Sequence, residues 1–252
     1  MHSSPPRHPL RWAVVVAVAA VIALVLIVRP AVGSGKPTPV AAATTTAAPT
    51  TAAPTRTTAA PTTTPPPTPP ARTTEPAIPD AASGRLATVP GEVPARGPGR
   101  TITYRLEIEA GLPLDGPAIG AQVQRTLTDP RGWEPIEHVA FARTTGPASF
   151  ELILASPTLV DKLCYPLDTI GQLSCRNGDK VILNARRWAT AVPWYQGHLD
   201  LYRAYLVNHE VGHRLGHGHK SCPSPGAPAP VMVQQSKSLY GCTANPWPSV
   251  AY

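Results

Sequence analysis

The spacing of hydrophobic and polar residues changes from segment to segment after about residue 100 of this chain. They alternate without interruption over residues 101–109, which predicts a half-buried β-strand. Apolar residues then recur at every fourth position over residues 119–127, and Asp115 before them can cap a helix. Shorter patterns predict three more strands and a long helix, at residues 138–142, 150–154 and 180–183 and from about residue 199. This order predicts an α+β fold, with a mixed sheet backed by helices and an irregular, Gly- and Pro-rich C-terminal part.

An unbroken apolar run of 17 residues occupies positions 12–28, with Arg7 and Arg11 before it and Arg29 after it. A helix of this length spans about 25 Å, close to the thickness of the hydrocarbon core of a membrane. We therefore predict a transmembrane signal anchor at 12–28 behind a cytoplasmic segment at 1–11. The small residues at 31–33 also fit a cleavage site, so a secreted form is the alternative.

Residues 29–96 are rich in Thr, Pro and Ala and show no hydrophobic period. Such a segment buries too little apolar surface to offset its chain entropy, so we predict a disordered linker. Residues 97–252 are then the predicted folded domain, which is long enough for one hydrophobic core. Because this part contains 14 Lys and Arg against 12 Asp and Glu, its charge gives no reason to expect nucleic-acid binding.

The domain contains four cysteines, at Cys164, Cys175, Cys222 and Cys242. None belongs to a C-x-x-C pair of the kind that zinc sites use. An even number of cysteines in a chain with an export signal predicts disulfides instead. Three pairings are possible, and the pairing of sequence neighbours closes two short loops. Since disulfides persist in oxidising compartments, we predict that the domain lies outside the cytoplasm.

The candidate chemistry lies in residues 208–219, Asn-His-Glu-Val-Gly-His-Arg-Leu-Gly-His-Gly-His. On a helix, His209 and His213 project from one face and can share a zinc ion. The carboxylate of Glu210 can reach a water on that ion without being a ligand. Three histidine ligands leave the fourth tetrahedral position open, which is typical of catalytic rather than structural zinc.

The third zinc ligand is predicted to be His219. No Asp or Glu follows Glu210 in the chain, so a ligand after it must be a histidine, either His217 or His219. A continued helix would favour His217. Gly216 indicates instead that the helix ends and that the chain turns back towards it. His217 is then predicted to lie behind the ligands or at the surface.

The pattern His-Glu-x-x-His-x-x-Gly-x-x-His resembles the signature of the metzincin zinc peptidases, which is followed by a methionine-containing turn. The resemblance implies a metzincin-like mixed β-sheet with an active-site helix, and it assigns Met232 to the turn, as an apolar base beneath the zinc ligands. One position departs from the pattern. Some metzincins have a Tyr two residues after the methionine, where this chain has Gln234. Tyr240 is a distant substitute, so the group that stabilises the oxyanion stays unassigned.

The region from about residue 101 to 247 also resembles a secreted actinobacterial domain family of unknown function. The likeness rests on three segments, Leu-Ala-Ser-Pro at 154–157, Leu-Val-Asn-His-Glu-Val-Gly-His-Arg-Leu-Gly-His at 206–217 and Asn-Pro-Trp-Pro at 245–248. This second resemblance implies no activity, so the functional prediction depends on the histidine motif.

Together these features predict a membrane-anchored, extracellular zinc peptidase that acts as a monomer on peptide or protein substrates. Zinc would activate a water, and Glu210 would take the proton of that water and deliver it to the leaving amine. Two alternatives remain open: a zinc hydrolase of another amide of the cell wall, and a non-catalytic cell-surface binding module. The module explains Glu210 less well, because structural zinc does not need that carboxylate.

Overall fold

The computed structural model describes residues 76–251, and the structural statements that follow refer to this part of the chain. Its strands are β1 (Leu86–Thr88), β2 (Arg100–Glu109), β3 (Val139–Arg143), β4 (Phe150–Ala155), β5 (Cys175–Asn177) and β6 (Lys180–Asn184). Its α-helices are α1 (Gly116–Leu127), α2 (Glu134–Glu137), α3 (Pro157–Cys164), α4 (Ala185–Thr190) and α5 (Leu199–Arg214). Short 3-10 turns lie at Pro193–Tyr195 and Pro248–Val250.

The strands form one mixed sheet in the order β1-β2-β4-β6-β5, and β3 pairs with the first half of β2. The β2, β3, β4 and β6 strands run parallel, whereas β1 and β5 are antiparallel to their neighbours. The edge strand β5 and its neighbour β6 both contact α5. The predicted α+β class with a mixed sheet is therefore confirmed, and α5 lies where it can place side chains beside a sheet edge.

The strongest sequence patterns correspond to elements of the structure. The strand predicted at 101–109 is β2, and the predicted helix is α1, where the Asp115 carboxylate accepts a hydrogen bond from the Ala118 N–H at 3.0 Å. The three other predicted strands are β3, β4 and β6, and the long helix is α5. After α5, the only regular element among the described residues is the 3-10 turn Pro248–Val250, so the irregular C-terminal part is also as predicted.

The folded part of the chain begins before residue 97, which corrects the predicted start of the domain. β1 pairs with the end of β2, and Ile78 and Val89 are buried. The buried carboxylate of Glu109 accepts a hydrogen bond from the Gly84 N–H at 2.8 Å. Because these contacts join residues before 97 to the sheet, the predicted disordered linker does not extend to residue 96.

The predicted cytoplasmic segment and the predicted anchor, 1–11 and 12–28, lie outside the described residues, as does the linker up to residue 75. Within residues 76–251, no helix has the length and apolar character needed to cross a membrane.

The four cysteines form two disulfides between sequence neighbours, Cys164–Cys175 and Cys222–Cys242. Of the three possible pairings, this is the one that closes short loops. The first bond joins the end of α3 to β5. The second closes a loop that includes Met232 and begins three residues after His219. The C-terminal part, which has little regular structure, is thus tied to the chain close to the histidine motif.

Removing the Cys222–Cys242 disulfide is expected to lower the free energy of unfolding by about 3 kcal/mol. The two cysteines are 20 residues apart, and the chain-entropy model gives about 3 kcal/mol for a closed loop of that size. We expect the full-length Cys222→Ser/Cys242→Ser variant to unfold at a lower urea concentration than wild type, as followed by tryptophan fluorescence. An unchanged midpoint would contradict the stabilising role of this bond.

Candidate metal centre

Three histidine side chains converge at the end of α5 and just after it. His209 is buried, His213 is half-buried and His219 is exposed. One ring nitrogen from each histidine lies within 4.8 Å of the others, and the Nε2 atoms of His213 and His219 are 3.1 Å apart. No other three or more His, Cys, Asp or Glu side chains of residues 76–251 come together in this way. The cluster is therefore the candidate metal centre of the described part of the chain.

The end of α5 explains how the third histidine joins the first two. His209 and His213 share one face of the helix because they are four residues apart. α5 ends at Arg214, and Gly216 then has a φ of +103°, a conformation that residues with a Cβ rarely adopt. The turn brings the His219 ring to 4.7 Å from the His213 ring, centroid to centroid. The structure thus places His219, rather than His217, in the cluster.

His217 lies outside the cluster and packs against α2 and against Trp133, the residue that precedes α2. Its ring stacks on Trp133 with the centroids 4.4 Å apart, and its Nε2 is 2.8 Å from a carboxylate oxygen of Glu137. The backbone carbonyl of His217 accepts a hydrogen bond from Nδ1 of His213 at 2.8 Å. His217 therefore supports a member of the cluster. Sequence reasoning missed Trp133 and Glu137, because they are about 80 residues away in the chain.

Backbone carbonyls orient both histidines of α5. Nδ1 of His209 is 2.9 Å from the carbonyl of Val231, and Nδ1 of His213 bonds to the carbonyl of His217. Since a carbonyl only accepts, each Nδ1 carries the proton, and the lone pair of each neutral ring is at Nε2. Carbonyls that fix the ring and its tautomer in this way are a common feature of metal-binding histidines.

Met232 packs directly against α5 between the two histidines. It is buried, and a Cβ added to Gly212 would lie only 2.5 Å from its Sδ. Only a glycine at 212 therefore lets Met232 approach the helix so closely. The residue before it, Val231, supplies the carbonyl that orients His209. The segment assigned to a methionine turn thus lies against the histidine-bearing helix and helps to position one of its rings.

Glu210 is buried beside the histidines and lines the same cavity. Its Oε2 atom is buried and has no hydrogen-bond partner among the described residues. Loss of hydration raises the pKa of the Glu210 carboxyl to about 8. Burial also lowers the pKa of His209 to about 3, and it lowers the pKa of His213 and of His219. All three rings are therefore neutral at pH 7 in the metal-free protein, as metal binding requires.

The cluster opens into a cavity of about 440 Å³. The loop between α3 and β5, part of β5, the end of α5 and the segment after Met232 contribute to its walls. Apart from Glu210 and the histidines, the acidic and basic side chains that line it are those of Asp168, Arg176 and Lys237. Gln234 lines the cavity, whereas Tyr240 is 56% exposed and does not. Sequence reasoning missed Arg176 and Lys237, because neither has a fixed spacing from the histidine motif.

Replacing Glu210 with Gln is expected to stabilise the metal-free protein at alkaline pH. In the unfolded chain the Glu210 carboxyl ionises near pH 4.5, but in the folded state it keeps its proton up to about pH 8. Stability is therefore lost as the pH rises from about 4.5 to 8, because ionisation favours the unfolded state. Gln has the shape of the protonated acid and does not ionise. Each pKa unit corresponds to about 1.4 kcal/mol, so the shift from 4.5 to about 8 should give the variant a gain on the order of 5 kcal/mol over wild type between pH 4 and pH 9.

This gain can be measured by urea unfolding of chelator-treated, full-length wild type and Glu210→Gln at pH 4 and pH 9. The depressed pKa of His209 destabilises the fold as the pH falls from about 6.5 to 3, because the unfolded ring takes up a proton first. That effect is common to both proteins and cancels in the comparison. If wild type and Glu210→Gln differ in free energy of unfolding by the same amount at pH 4 and at pH 9, the raised pKa of Glu210 is contradicted.

Fold and site together define a mixed α+β domain with a three-histidine cluster at the end of a long helix. The chain belongs to the DUF3152 family, described as a protein of unknown function, whose family model matches residues 73–248. The match starts before residue 97, in agreement with the packing of β1 onto the sheet. No match was found among curated proteins or among solved structures. The family membership itself assigns no activity.

Proposed function

We propose that this protein is a zinc-dependent peptidase of the metzincin type that acts outside the cytoplasm. One observation carries the proposal: three histidine nitrogens converge beside a buried carboxylate, and all four side chains line one open cavity. A purely structural zinc site would use a fourth protein ligand and would not need that carboxylate.

The donor atoms of the cluster fit Zn²⁺. Imidazole nitrogens bind zinc at about 2.0–2.1 Å, so two ligands of a tetrahedral site lie about 3.3 Å apart. The Nε2 atoms of His213 and His219 are 3.1 Å apart, which is close to this spacing. With His209 as the third ligand, one position stays open to solvent and substrate. A divalent cation here would also favour the ionised form of Glu210, whose Oε2 otherwise has no partner among the described residues.

The chemistry of hydrolysis is then divided between the metal and the residues around it. Bound zinc would act as a Lewis acid that acidifies a water and polarises the scissile carbonyl. Glu210 would take the proton of the attacking water and return it to the leaving amine. The carbonyls of Val231 and His217 hold the rings of His209 and His213 in place. Lys237, a cation on the wall of the same cavity, replaces Tyr240 as the candidate for stabilising the oxyanion.

The substrate we propose is an extended polypeptide that runs along β5. This strand is the edge of the sheet beside α5, and its residues Cys175 and Arg176 line the cavity. Extended peptides bind readily to exposed sheet edges through main-chain hydrogen bonds. A peptide in this position would cross the open side of the histidine cluster.

We also propose that the domain works at the cell surface as a monomer, without nucleic acid. The two disulfides support an oxidising compartment. The apolar run at 12–28 would anchor the chain in the membrane, with the domain outside, and cleavage after it would release the domain.

The experiment that tests this function is digestion of a randomised peptide pool by the zinc-loaded, full-length chain, with mass spectrometry of the products. We expect cleavage at peptide bonds that stops when a chelator removes the metal and resumes when zinc is restored. The same chain is incubated with cell-wall fragments in parallel. Cleavage of amides other than peptide bonds in those fragments, with the peptide pool intact, would point to a zinc hydrolase of another cell-wall amide. Zinc binding without cleavage of either substrate would point to the binding module.

A further inference from the structure

The loop between α3 and β5, which contributes to the wall of the cavity, exposes three apolar side chains. Tyr165 is 78% exposed, Leu167 54% and Ile170 66%. Residues 76–251 contain six large apolar side chains that are exposed, and these three lie within six consecutive positions. The remaining three are scattered, at Leu201, Tyr240 and Val250. A local concentration of this kind marks a binding surface more often than scattered apolar residues do.

Hydrogen bonds to α3 and β5 fix the backbone of the loop that carries these side chains. The hydroxyl of the buried Thr169 bonds to the carboxylate of Asp161, which also accepts from the Gly171 N–H at 2.8 Å. The Asn177 side-chain amide donates to the carbonyl of Tyr165 at 3.1 Å. The Cys164–Cys175 disulfide closes the two ends of the loop. The fold therefore holds the loop in one conformation, in which these apolar side chains are exposed.

Ile170 shows that the loop gives up stability to present an apolar side chain. Its φ is +47°, a conformation that is unfavourable for β-branched residues. Burial does not compensate for this strain, because about two thirds of the residue is exposed. Asn or Gly would suit the backbone better. The isoleucine side chain therefore contributes little to folding, and a contact with a ligand gives it a physical purpose.

The exposed apolar residues adjoin the candidate active site through Leu167. Leu167 is one of the exposed apolar residues and also lines the cavity. The next two residues, Asp168 and Thr169, line the cavity as well. A ligand that covers this loop therefore also reaches the entrance of the histidine cluster. An extended polypeptide can lie across the loop and the cluster at once, whereas a second copy of the domain on the loop would obstruct the entrance.

We propose that the loop 165–170 is a specificity-determining rim that binds an apolar side chain of the polypeptide substrate, close to the scissile bond. This inference rests on the proposed peptidase function. The rim selects Leu-, Ile- or Phe-like residues because Leu167 and Ile170 offer them an apolar surface that is already rigid. Polypeptides with only small or charged residues at this position gain no such contact and are cleaved more slowly.

The test compares zinc-loaded, full-length wild type with Leu167→Ser and Ile170→Asn on a peptide pool randomised at every position. Asn is suited to a positive φ, so Ile170→Asn removes the apolar group without straining the loop. The matched control is Leu201→Gln, which changes an exposed leucine in the first turn of α5 that does not line the cavity. Thermal unfolding of each variant shows whether the loop and the fold are retained.

We expect wild type and Leu201→Gln to cleave beside one position enriched in apolar residues. Each rim variant should lose about tenfold in kcat/KM for peptides with Leu or Phe at that position. Peptides with Ala there should be affected little. Cleavage without an apolar preference, or a preference that both rim variants retain, would overturn the proposal. A loss of dimers or of binding to phosphatidylcholine vesicles in the rim variants, with cleavage unchanged, would do the same and would assign the loop to another partner.

A second measurement separates failure of the rim from failure of the peptidase function. The same pool is passed over immobilised, zinc-loaded Glu210→Gln, with and without the rim substitutions, and the retained peptides are sequenced. Retention of apolar peptides that depends on Leu167 and Ile170 would support the rim even if wild type cleaves nothing. Retention that is absent, or independent of these two residues, would overturn the rim even if wild type is an active peptidase.

Discussion

Replacing Glu210 with Gln is expected to lower the rate of peptide hydrolysis by about 10²–10⁴-fold while the zinc content stays unchanged. The amide keeps the size of the side chain but cannot take a proton from the attacking water. Glu210 is not one of the three side chains that converge to form the candidate metal centre. The metal should therefore bind as in wild type. The measurement is the cleavage rate of one identified peptide by the zinc-loaded variant, together with its zinc content.

The matched control for this variant is Glu92→Gln, which makes the same chemical change at an exposed glutamate that does not line the cavity. It should cleave at the wild-type rate. If Glu210→Gln cleaves as fast as wild type with equal zinc content, Glu210 is not the general base. If neither wild type nor Glu210→Gln cleaves any peptide of the pool, a non-catalytic binding module becomes the better explanation of the site.

Replacing any of the three clustered histidines is expected to abolish tight zinc binding, whereas replacing His217 should only weaken it. His209→Ala, His213→Ala and His219→Ala each remove one nitrogen of the cluster. His217→Ala removes the stacking on Trp133 that holds the backbone beside His213. Loss of such a supporting contact typically costs about 10–100-fold in metal affinity. Competition with a chromogenic zinc chelator measures both effects on the same scale.

The pair His217 and His219 provides the decisive comparison in this series. Tight binding in His219→Ala, combined with complete loss in His217→Ala, would transfer the role of third ligand to His217. It would also mean that the turn at Gly216 opens when the metal binds. Equal weakening in all four variants would instead indicate that no discrete three-histidine site forms.

The sequence predicted most of what depends on local spacing. The alternation over 101–109 is β2, the Asp115 cap starts α1, and the four-residue spacing of His209 and His213 follows from α5. The turn at Gly216 was also predictable, because few other residues adopt its conformation. Each of these features is decided by residues that are neighbours in the chain.

Features that depend on distant contacts were not predictable in the same way. β1 is three residues long and has no hydrophobic alternation of its own, so it is a strand only because it pairs with the end of β2. The support that Trp133 and Glu137 give to His217 likewise joins residues far apart in sequence. The departure at Gln234 left the oxyanion group open, and only the fold brings Lys237 to the cavity. The sequence therefore predicted the histidine cluster better than the surface around it.

The measurement that tests the central proposal most directly is a zinc titration of the chelator-treated, full-length chain, with the cleavage rate of a single peptide recorded at each addition. We predict no cleavage without metal, a linear rise with added zinc and a plateau at about one zinc per chain, since the described residues contain one three-histidine cluster. Cleavage that persists in the metal-free chain would contradict the proposal. So would one tightly bound zinc per chain without cleavage of any peptide in the randomised pool.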